Sequence, residues 1–297
     1  MLKYCCNNKR FMKIEDILYE YSKILSEKGF SSPNLDIELI LCYLLKIDKS
    51  QLFIQNDRNL DKKEFKEFEK LFKRRLKHEP IAYIIKEKEF YNRKFKVDKS
   101  VMIPRPLTEE LIELVLGSAG NLYNKSINIL DVGTGSGCIL ITLYKELKNC
   151  CSTVSINPFA VDISSSALEI AKYNFEKFGL GNVKTKKGDL PTFGFTKFDI
   201  ITANLPYIKK GSLDFNDDSV SDLKYEPKSA LYASYDGFSV IKKAIKKYLR
   251  KLKKTGTLFL EVGRGHYDKI KELYGNKYDI KSFFDGRVIM IRKEKEE

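Results

Sequence analysis

From residue 127 onward, short continuous apolar runs alternate with longer stretches in which apolar residues recur at three-to-four spacing. Short apolar runs bounded by turn residues are typical of buried strands, whereas three-to-four spacing is typical of amphipathic helices. We predict, in chain order, strand 127–131, helix 137–147, strand 154–161, helix 164–177, strand 183–187, strand 198–202, helix 238–252, strand 256–262, helix 266–274, and strands near 278–283 and 287–293. This alternation predicts an α/β fold with a seven-stranded, mostly parallel sheet, helices on both faces and an antiparallel closing pair.

The first 80 residues carry helical periodicity. Ser32 followed by Pro33 predicts a helix start, because Ser is favoured at the cap and Pro in the first turn. Asp61 with Glu64 predicts the capping box of another helix. We interpret residues 1–80 as a small helical bundle that binds or orients a substrate.

Residues 81–102 are rich in Ile, Tyr, Phe and Val, with Tyr91-Asn92 at their middle. This composition predicts a β-hairpin that links two domains. The following Ile103-Pro104-Arg105-Pro106 is expected to be extended, because each Pro keeps the preceding residue out of the helical region. Thr108 is expected to cap the next helix. The second predicted domain spans residues 103–297.

The chain has enough hydrophobic residues to form a core, but they do not form a run long enough to span a membrane. Of the 297 residues, 43% are hydrophobic, but no apolar run reaches the roughly 18 residues that a span needs. The amino terminus also lacks the layout of a signal peptide. Six Cys without a C-x-x-C pair and only two His offer little to a zinc site. We therefore expect a cytoplasmic protein with no bound metal.

The formal net charge of +14 raises the question of nucleic-acid binding. Much of this charge is Lys spread evenly along the chain. In the predicted helix 238–252, Lys pairs alternate with Ile241, Ile245 and Leu249 at helical spacing. Such lysines form the solvated face of an amphipathic helix, so we do not expect direct binding to nucleic acid.

A glycine-rich turn joins the strand 127–131 to its helix and reads Val132-Gly133-Thr134-Gly135-Ser136-Gly137. Its glycines let the backbone pass close to a ligand at a helix amino terminus. Asp131, directly before the turn, would repel the pyrophosphate of a dinucleotide. It would attract the ammonium and sulfonium groups of S-adenosylmethionine.

Two further acids follow neighbouring strands. Asp162 ends strand 154–161 and is placed to accept hydrogen bonds from ribose hydroxyls, which either cofactor class would offer. Asp189-Leu190, after strand 183–187, would border the adenine edge. Asp189 also fits a plain turn residue after Gly188, and this alternative stays open.

Asn204-Leu205-Pro206-Tyr207 follows the apolar strand 198–202, where an open α/β sheet places its chemistry. The Asn204 side-chain oxygen and the Leu205 carbonyl can together accept both hydrogens of a planar NH2 group. The Tyr207 ring can cover the face of that group. This arrangement indicates an enzyme that acts on an amide or exocyclic amine nitrogen.

With the glycine turn and Asn-Leu-Pro-Tyr in this order, the chain resembles the N5-glutamine methyltransferases that act on peptide chain release factors. The motifs that carry the resemblance over nearly the whole sequence are Glu79-Pro80-Ile81-Ala82-Tyr83-Ile84, Glu87-Lys88-Glu89-Phe90, Ile103-Pro104-Arg105-Pro106, Asp131 to Gly137, Asn204 to Tyr207, and Glu226-Pro227 followed by Ala230-Leu231.

This resemblance implies a Rossmann-like class I S-adenosylmethionine-dependent methyltransferase preceded by a helical bundle. It implies methyl transfer to the side-chain amide of the Gln in a Gly-Gly-Gln tip, with a release factor as protein partner. We expect the enzyme to be a monomer. Gly133, Thr134, Gly135, Ser136 and Gly137 would contact the methionine part. Asp162 would hold the ribose, Leu190 would lie by the adenine, and Asn204 to Tyr207 would hold the substrate Gln.

Two positions depart from the family pattern. Leu205 stands where the family usually has Pro, and Leu107 stands where an acid is usual. The expected role at position 205 belongs to the backbone carbonyl, which Leu also supplies, so the loss is that of the rigidity imposed by a Pro ring.

Other functions remain open from the sequence. A glutamine methyltransferase of a ribosomal protein would share both halves of the chain, and an adenine-N6 methyltransferase of rRNA or DNA would share the tetrapeptide. A non-catalytic module that binds a translation factor or RNA is disfavoured, because an idle site has no need for Asp131, Asp162 and Asn204. A nicotinamide-dependent dehydrogenase would not explain Asn204 to Tyr207.

Overall fold

The computed structural model describes residues 12–120, 125–212, 221–233 and 236–293. The chain forms two compact units: Met1–Lys86 with Asp214–Tyr225, and Glu87–Leu213 with Glu226–Glu297. Within the described ranges, none of the helices has the length and hydrophobicity that a bilayer-spanning segment needs.

The first unit is a bundle of five helices among the residues described. They are α1 (Ile14–Glu27), α2 (Pro33–Leu45), α3 (Lys49–Ile54), α4 (Lys62–Arg75) and α5 (Ile81–Ile85). The predicted capping box opens α4: the Asp61 carboxylate accepts from the Glu64 N–H at 2.8 Å, and the Asp61 N–H donates to the Glu64 carboxylate at 2.9 Å. Helix α2 begins at Pro33 as predicted, although the Ser32 side chain makes no capping hydrogen bond.

The hairpin prediction for residues 81–102 is wrong in its first part. Ile81–Ile85 is helix α5 of the first unit, and only β1 (Glu87–Phe90) and β2 (Arg93–Lys96) form the antiparallel hairpin. Tyr91 and Asn92 make its turn with φ of 49° and 55°, the left-handed pair that matches the strand twist. A short apolar run fits a buried helix turn as well as a strand, and here Ala82, Tyr83 and Ile84 are buried in a helix.

The second unit contains the predicted seven-stranded sheet, which confirms the fold class. Its strands are β3 (Ser126–Val132), β4 (Ser155–Asp162), β5 (Lys184–Lys187), β6 (Phe198–Asn204), β7 (Leu252–Glu261), β8 (Asp279–Phe283) and β9 (Val288–Arg292). The spatial order is β5-β4-β3-β6-β7-β9-β8, and β9 alone runs antiparallel to both of its neighbours. From β3 the chain steps outward to β4 and β5 and then returns to the other side of β3 as β6. Ligands of open α/β sheets bind at such a reversal, beyond the carboxyl ends of the strands.

Helices cover both faces of this sheet over two apolar cores. They are α6 (Pro106–Ser118), α7 (Cys138–Cys150), α8 (Ser165–Lys177), α9 (Lys228–Leu231), α10 (Ser239–Tyr248) and α11 (His266–Tyr274). Helix α6 begins two residues before Thr108, with Arg105 at its cap. The prediction that Thr108 caps this helix is therefore wrong. Its hydroxyl donates instead to the Glu261 carboxylate at 2.7 Å.

The boundary between the predicted helix 238–252 and the predicted strand 256–262 lies several residues earlier in the chain than expected. Helix α10 ends at Tyr248, a 3₁₀ turn covers Leu249–Lys251, and β7 begins at Leu252. A Cβ at Gly256 would lie 2.6 Å from the Phe198 carbonyl oxygen, where the pairing of β6 with β7 is irregular. The residues just before Gly256 are polar, so a search for apolar runs places the start of this strand too late.

Candidate active site

A cavity of about 340 Å³ lies in the second unit at the carboxyl ends of the central strands. Its floor is the turn after β3, and one wall is formed by Ser229 and Ala230 of α9. The predicted site residues that line the cavity are Gly133, Thr134, Gly135, Ser136, Asp162, Asp189, Leu190, Asn204, Leu205 and Pro206. The structure therefore brings together both halves of the predicted site, the cofactor turn and the tetrapeptide.

The glycine turn is shaped by contacts on both of its sides. Gly133 has a φ of 70°, and a Cβ there would lie 2.9 Å from Leu205 Cδ2. The turn therefore packs directly on the tetrapeptide. The backbone N–H groups of Gly133 and Thr134 donate to the Val161 carbonyl at 2.9 and 3.0 Å, which ties the turn to the end of β4.

Gly137 does not line the cavity, and its contact with the cofactor stays a prediction. It precedes α7 with a φ of 80°. A Cβ at this position would lie 2.8 Å from Phe175 Cε1. Its lack of a side chain is explained by the packing of α7 against α8, a long-range contact that the motif alone does not reveal.

Asp131 lies behind the turn and also does not line the cavity. It is fully buried, and its two oxygens accept from the Thr134 hydroxyl at 2.7 Å and the Thr202 hydroxyl at 2.9 Å. Burial raises the pKa of the Asp131 carboxyl to about 6, against the opposing effect of these two hydrogen bonds. The residue thus holds Thr134, which does line the cavity.

Asp162 is held rigidly at the end of β4. Its oxygens accept from the Gly135 N–H at 3.0 Å and the Ser164 N–H at 2.9 Å. Burial raises the pKa of its carboxyl, while these backbone donors lower it. The remaining lone pairs of the Asp162 carboxylate can accept hydrogen bonds from hydroxyl groups in the cavity.

Asp189 and Leu190 border the far end of the cavity. Leu190 is buried and has a φ of 53°, an uncommon conformation for a residue with a branched side chain. Asp189 is exposed and forms an ion pair with Lys243 of α10. Asp189 therefore lines the cavity, as predicted for a residue beside the adenine. Its exposure also fits a plain turn residue, so both alternatives stay open.

Asn204 is the last residue of β6, and its carboxamide is oriented by two neighbours. Its Nδ2 donates to the Glu261 carboxylate at 2.8 Å and to the Thr108 hydroxyl at 3.1 Å. The NH2 group is thereby turned towards these two acceptors. The Oδ1 atom is the part of the carboxamide left to accept a hydrogen bond in the cavity.

Tyr207 makes a contact that the sequence did not predict. It is absent from the cavity lining, and its hydroxyl donates to the Glu261 carboxylate at 3.2 Å. Burial and the Glu261 charge raise the pKa of the Tyr207 hydroxyl, which keeps it a donor. The hydroxyl therefore supports Glu261, and the expectation that the ring covers the substrate amide stays a prediction.

Sequence reasoning missed Glu261 and the contact that Thr108 makes with it. Burial raises the pKa of the Glu261 carboxyl, and the hydrogen bonds from Thr108, Tyr207 and Asn204 lower it. A signal existed in the sequence, because Glu261 ends an apolar run as Asn204 does. Their register as neighbours on β6 and β7 becomes visible only in the sheet.

The sheet order, the glycine turn after β3 and the acid ending β4 define the class I S-adenosylmethionine-dependent methyltransferase fold. Comparison with family models agrees, since residues 16–85 match the PrmC N-terminal domain and residues 123–287 match a methyltransferase domain. Residues 16–85 overlap the bundle predicted for residues 1–80 and extend into the segment predicted as the linker.

Curated relatives and a solved structure were also compared. The release factor glutamine methyltransferase of Aliivibrio fischeri is 33% identical over 267 residues, which is 89% of each chain. The chain belongs to the release factor glutamine methyltransferase family. The bifunctional methyltransferase of Rickettsia prowazekii is 36% identical over 287 residues, which cover 89% of this chain and 53% of that protein. The chain therefore spans about half the length of this relative. The ribosomal protein L11 methylase of Lactobacillus delbrueckii subsp. bulgaricus is similar at a TM-score of 0.45, with 20% identity over 70% of this chain and 89% of that one.

Proposed function

We propose that this protein transfers a methyl group from S-adenosylmethionine to the side-chain amide nitrogen of the Gln in the GGQ motif of a peptide chain release factor. The observation that carries the proposal is the position of Asn204 and Leu205 in one cavity with the glycine turn. The names of the relatives that match nearly end to end supply the substrate class.

The residues of the cavity fit the cofactor of this fold. Gly133 and Gly135 have a positive φ and bring bare backbone to the cavity wall. Asp162 offers acceptors suited to ribose hydroxyls, and buried Leu190 offers an apolar surface for the adenine. The cavity volume of about 340 Å³ is within the range of small-molecule sites. When bound, the cofactor supplies an electrophilic methyl group on a sulfonium.

The task left to the protein is alignment. A primary amide nitrogen is a weak nucleophile because its lone pair is shared with the carbonyl, so positioning it in line with the methyl group contributes most of the acceleration. Asn204 Oδ1 and the Leu205 carbonyl accept the two N–H bonds of the substrate amide. As the N–CH3 bond forms and the S–CH3 bond breaks, positive charge develops on nitrogen, and these oxygens stabilise it. The amide proton then leaves to water.

The expected setting follows from this substrate. A release factor is a protein partner found where translation occurs, so we propose a cytoplasmic enzyme that acts as a monomer. Direct contact with nucleic acid is not part of the proposal.

The test is incubation with isotopically labelled S-adenosylmethionine and three candidate substrates, which are release factors, ribosomal proteins and ribosomal RNA. Mass spectrometry of the digested products locates the added methyl group. Label on the GGQ glutamine of a release factor is expected. Label on a ribosomal-protein glutamine, or on an adenine, would contradict the proposed substrate and would identify one of the two alternative substrates instead.

A further inference from the structure

The end of strand β7 holds a buried charged group that the proposed chemistry does not use directly. Glu261 is the cross-strand partner of Asn204, and 1% of its surface is exposed. A carboxylate so buried is stable only when donors satisfy it. Its donors here are the Thr108 hydroxyl, the Asn204 NH2 group and the Tyr207 hydroxyl. Three donors on one carboxyl group fit an ionised carboxylate, which can only accept.

The orientation of the Asn204 carboxamide decides whether the site can work. Its oxygen and NH2 ends have nearly the same shape, so a rotation of about 180° exchanges an acceptor for a donor. In the rotated state Asn204 would present N–H bonds to the N–H bonds of the substrate amide. The substrate would then lose one of its two acceptors.

Glu261 and Thr108 disfavour that rotated state. The carboxylate has no proton to donate, and the Thr108 hydroxyl uses its proton on Glu261 Oε2 at 2.7 Å. Oδ1 of a rotated Asn204 would face an acceptor in Glu261, and Thr108 could donate to it only by giving up its own bond to Glu261. The bonds from Nδ2, at 2.8 Å and 3.1 Å, are therefore the arrangement that this pair favours.

The same carboxylate strengthens Asn204 as an acceptor. A hydrogen bond to an ionised group is stronger than a neutral one, and hydrogen bonds in series polarise one another. Electron density in the Asn204 carboxamide is thus displaced towards Oδ1. That atom is the one that meets the positive charge developing on the substrate nitrogen.

We propose that Glu261 and Thr108 are positioning residues for the methyl transfer, which hold the Asn204 carboxamide with its nitrogen inward and its oxygen towards the substrate amide. The role in turnover rests on the proposed function. The orientation itself is a property of this chain and is measurable without a substrate.

Substitutions at Thr108 separate the hydroxyl from the shape of the side chain. Thr108→Val keeps the shape but removes the acceptor, and Thr108→Ser keeps the hydroxyl. We expect Thr108→Val to lower kcat about tenfold, as the loss of one oriented hydrogen bond implies. The affinity for S-adenosylmethionine should change by less than about twofold, and Thr108→Ser should restore most of the turnover. Glu261→Gln should lower kcat by about tenfold or more, because the amide can donate to Asn204 Oδ1 and so admits the rotated state.

A matched control is available on α7. Thr142 is fully buried, and its hydroxyl has no hydrogen-bond partner among the described residues. Thr142→Val therefore makes the same chemical change at an equally buried site away from the cluster. It should leave kcat and the cofactor affinity at the wild-type values.

Nuclear magnetic resonance gives the readout that needs no turnover. The side-chain NH2 signals of Asn204, assigned by their loss in Asn204→Ala, should exchange slowly with solvent in the wild-type protein. Exchange should become faster in Thr108→Val and Glu261→Gln and stay unchanged in Thr142→Val.

The outcomes separate the two proposals. If the wild-type protein methylates glutamine but Thr108→Val and Glu261→Gln turn over at the wild-type rate, the positioning role is wrong and the function stands. If no glutamine is methylated, the function fails, and the exchange of the Asn204 NH2 group still decides the orientation. Equal exchange in all variants overturns the positioning role in either case.

Discussion

Replacing Asp131 with Asn is expected to remove a pH dependence from the stability of the second unit. The pKa of the Asp131 carboxyl rises on folding from 3.8 to about 6, chiefly because the group is fully buried. The folded state therefore binds its proton more tightly than the unfolded state does. The stabilisation this gives is fully present below pH 3.8 and is lost as the pH rises through about 6.

The magnitude follows from the difference between the two pKa values. One pKa unit corresponds to about 1.4 kcal/mol, so the full loss is about 3 kcal/mol, and about 2 kcal/mol of it falls between pH 4 and pH 7. The carboxamide that replaces the carboxyl group in the variant carries no titrating proton. It can still accept from one Thr hydroxyl and donate to the other, so the variant is expected to fold.

The assay is urea unfolding of the wild-type protein and Asp131→Asn at pH 4, 5, 6 and 7. Groups without a charge interaction with Asp131 titrate equally in both proteins, so the difference between their unfolding free energies reports on Asp131 and its charge neighbour Asp162. We expect the variant to gain about 2 kcal/mol relative to the wild type from pH 4 to pH 7. A pH-independent difference between the two proteins would show that the Asp131 carboxyl titrates alike in the folded and unfolded chain, contrary to this prediction.

Three further substitutions test neighbouring parts of the site. Gly133→Ala places a Cβ 2.9 Å from Leu205 Cδ2 at a φ of 70°. The variant should lose about 1–2 kcal/mol of unfolding free energy and should also have a lower kcat. Unchanged kinetics would contradict the close packing of the glycine turn against the tetrapeptide. Asp162→Asn should weaken S-adenosylmethionine binding about tenfold by calorimetry, and an unaltered Kd would remove this residue from the cofactor site. Tyr207→Phe removes a hydrogen bond of 3.2 Å to Glu261 and should lower kcat by only about threefold to tenfold. A near-complete loss would show that the hydroxyl does more than support Glu261.

Local patterns were enough to predict the parts of the molecule that depend on neighbours in sequence. The apolar runs that became β3 and β6, the alternation with helices and the capping box of Asp61 and Glu64 are of this kind. The glycine turn and Asn204 were also found, because each follows a buried strand at the edge where ligands bind.

Features that depend on pairing across the sheet could not be predicted in this way. Glu261 acts on Asn204 because β7 lies beside β6 in register, and Thr108 reaches both from α6. The same limit explains Gly137, whose neighbour is Phe175 on another helix. The contact of Tyr207 with Glu261 likewise depends on the position of β7 beside β6.

In the proposed reaction, Asn204 binds the substrate amide and has little part in holding the cofactor. The most direct measurement compares wild type, Asn204→Ala and Asn157→Ala in single-turnover methylation and in calorimetric binding of S-adenosylmethionine. Asn157 is an exposed Asn near the amino-terminal end of β4 and serves as the matched control.

We expect Asn204→Ala to slow methyl transfer at least about a hundredfold while the Kd for the cofactor changes by less than about threefold. Asn157→Ala should behave as the wild type in both measurements. Methyl transfer at the wild-type rate in Asn204→Ala would contradict the account.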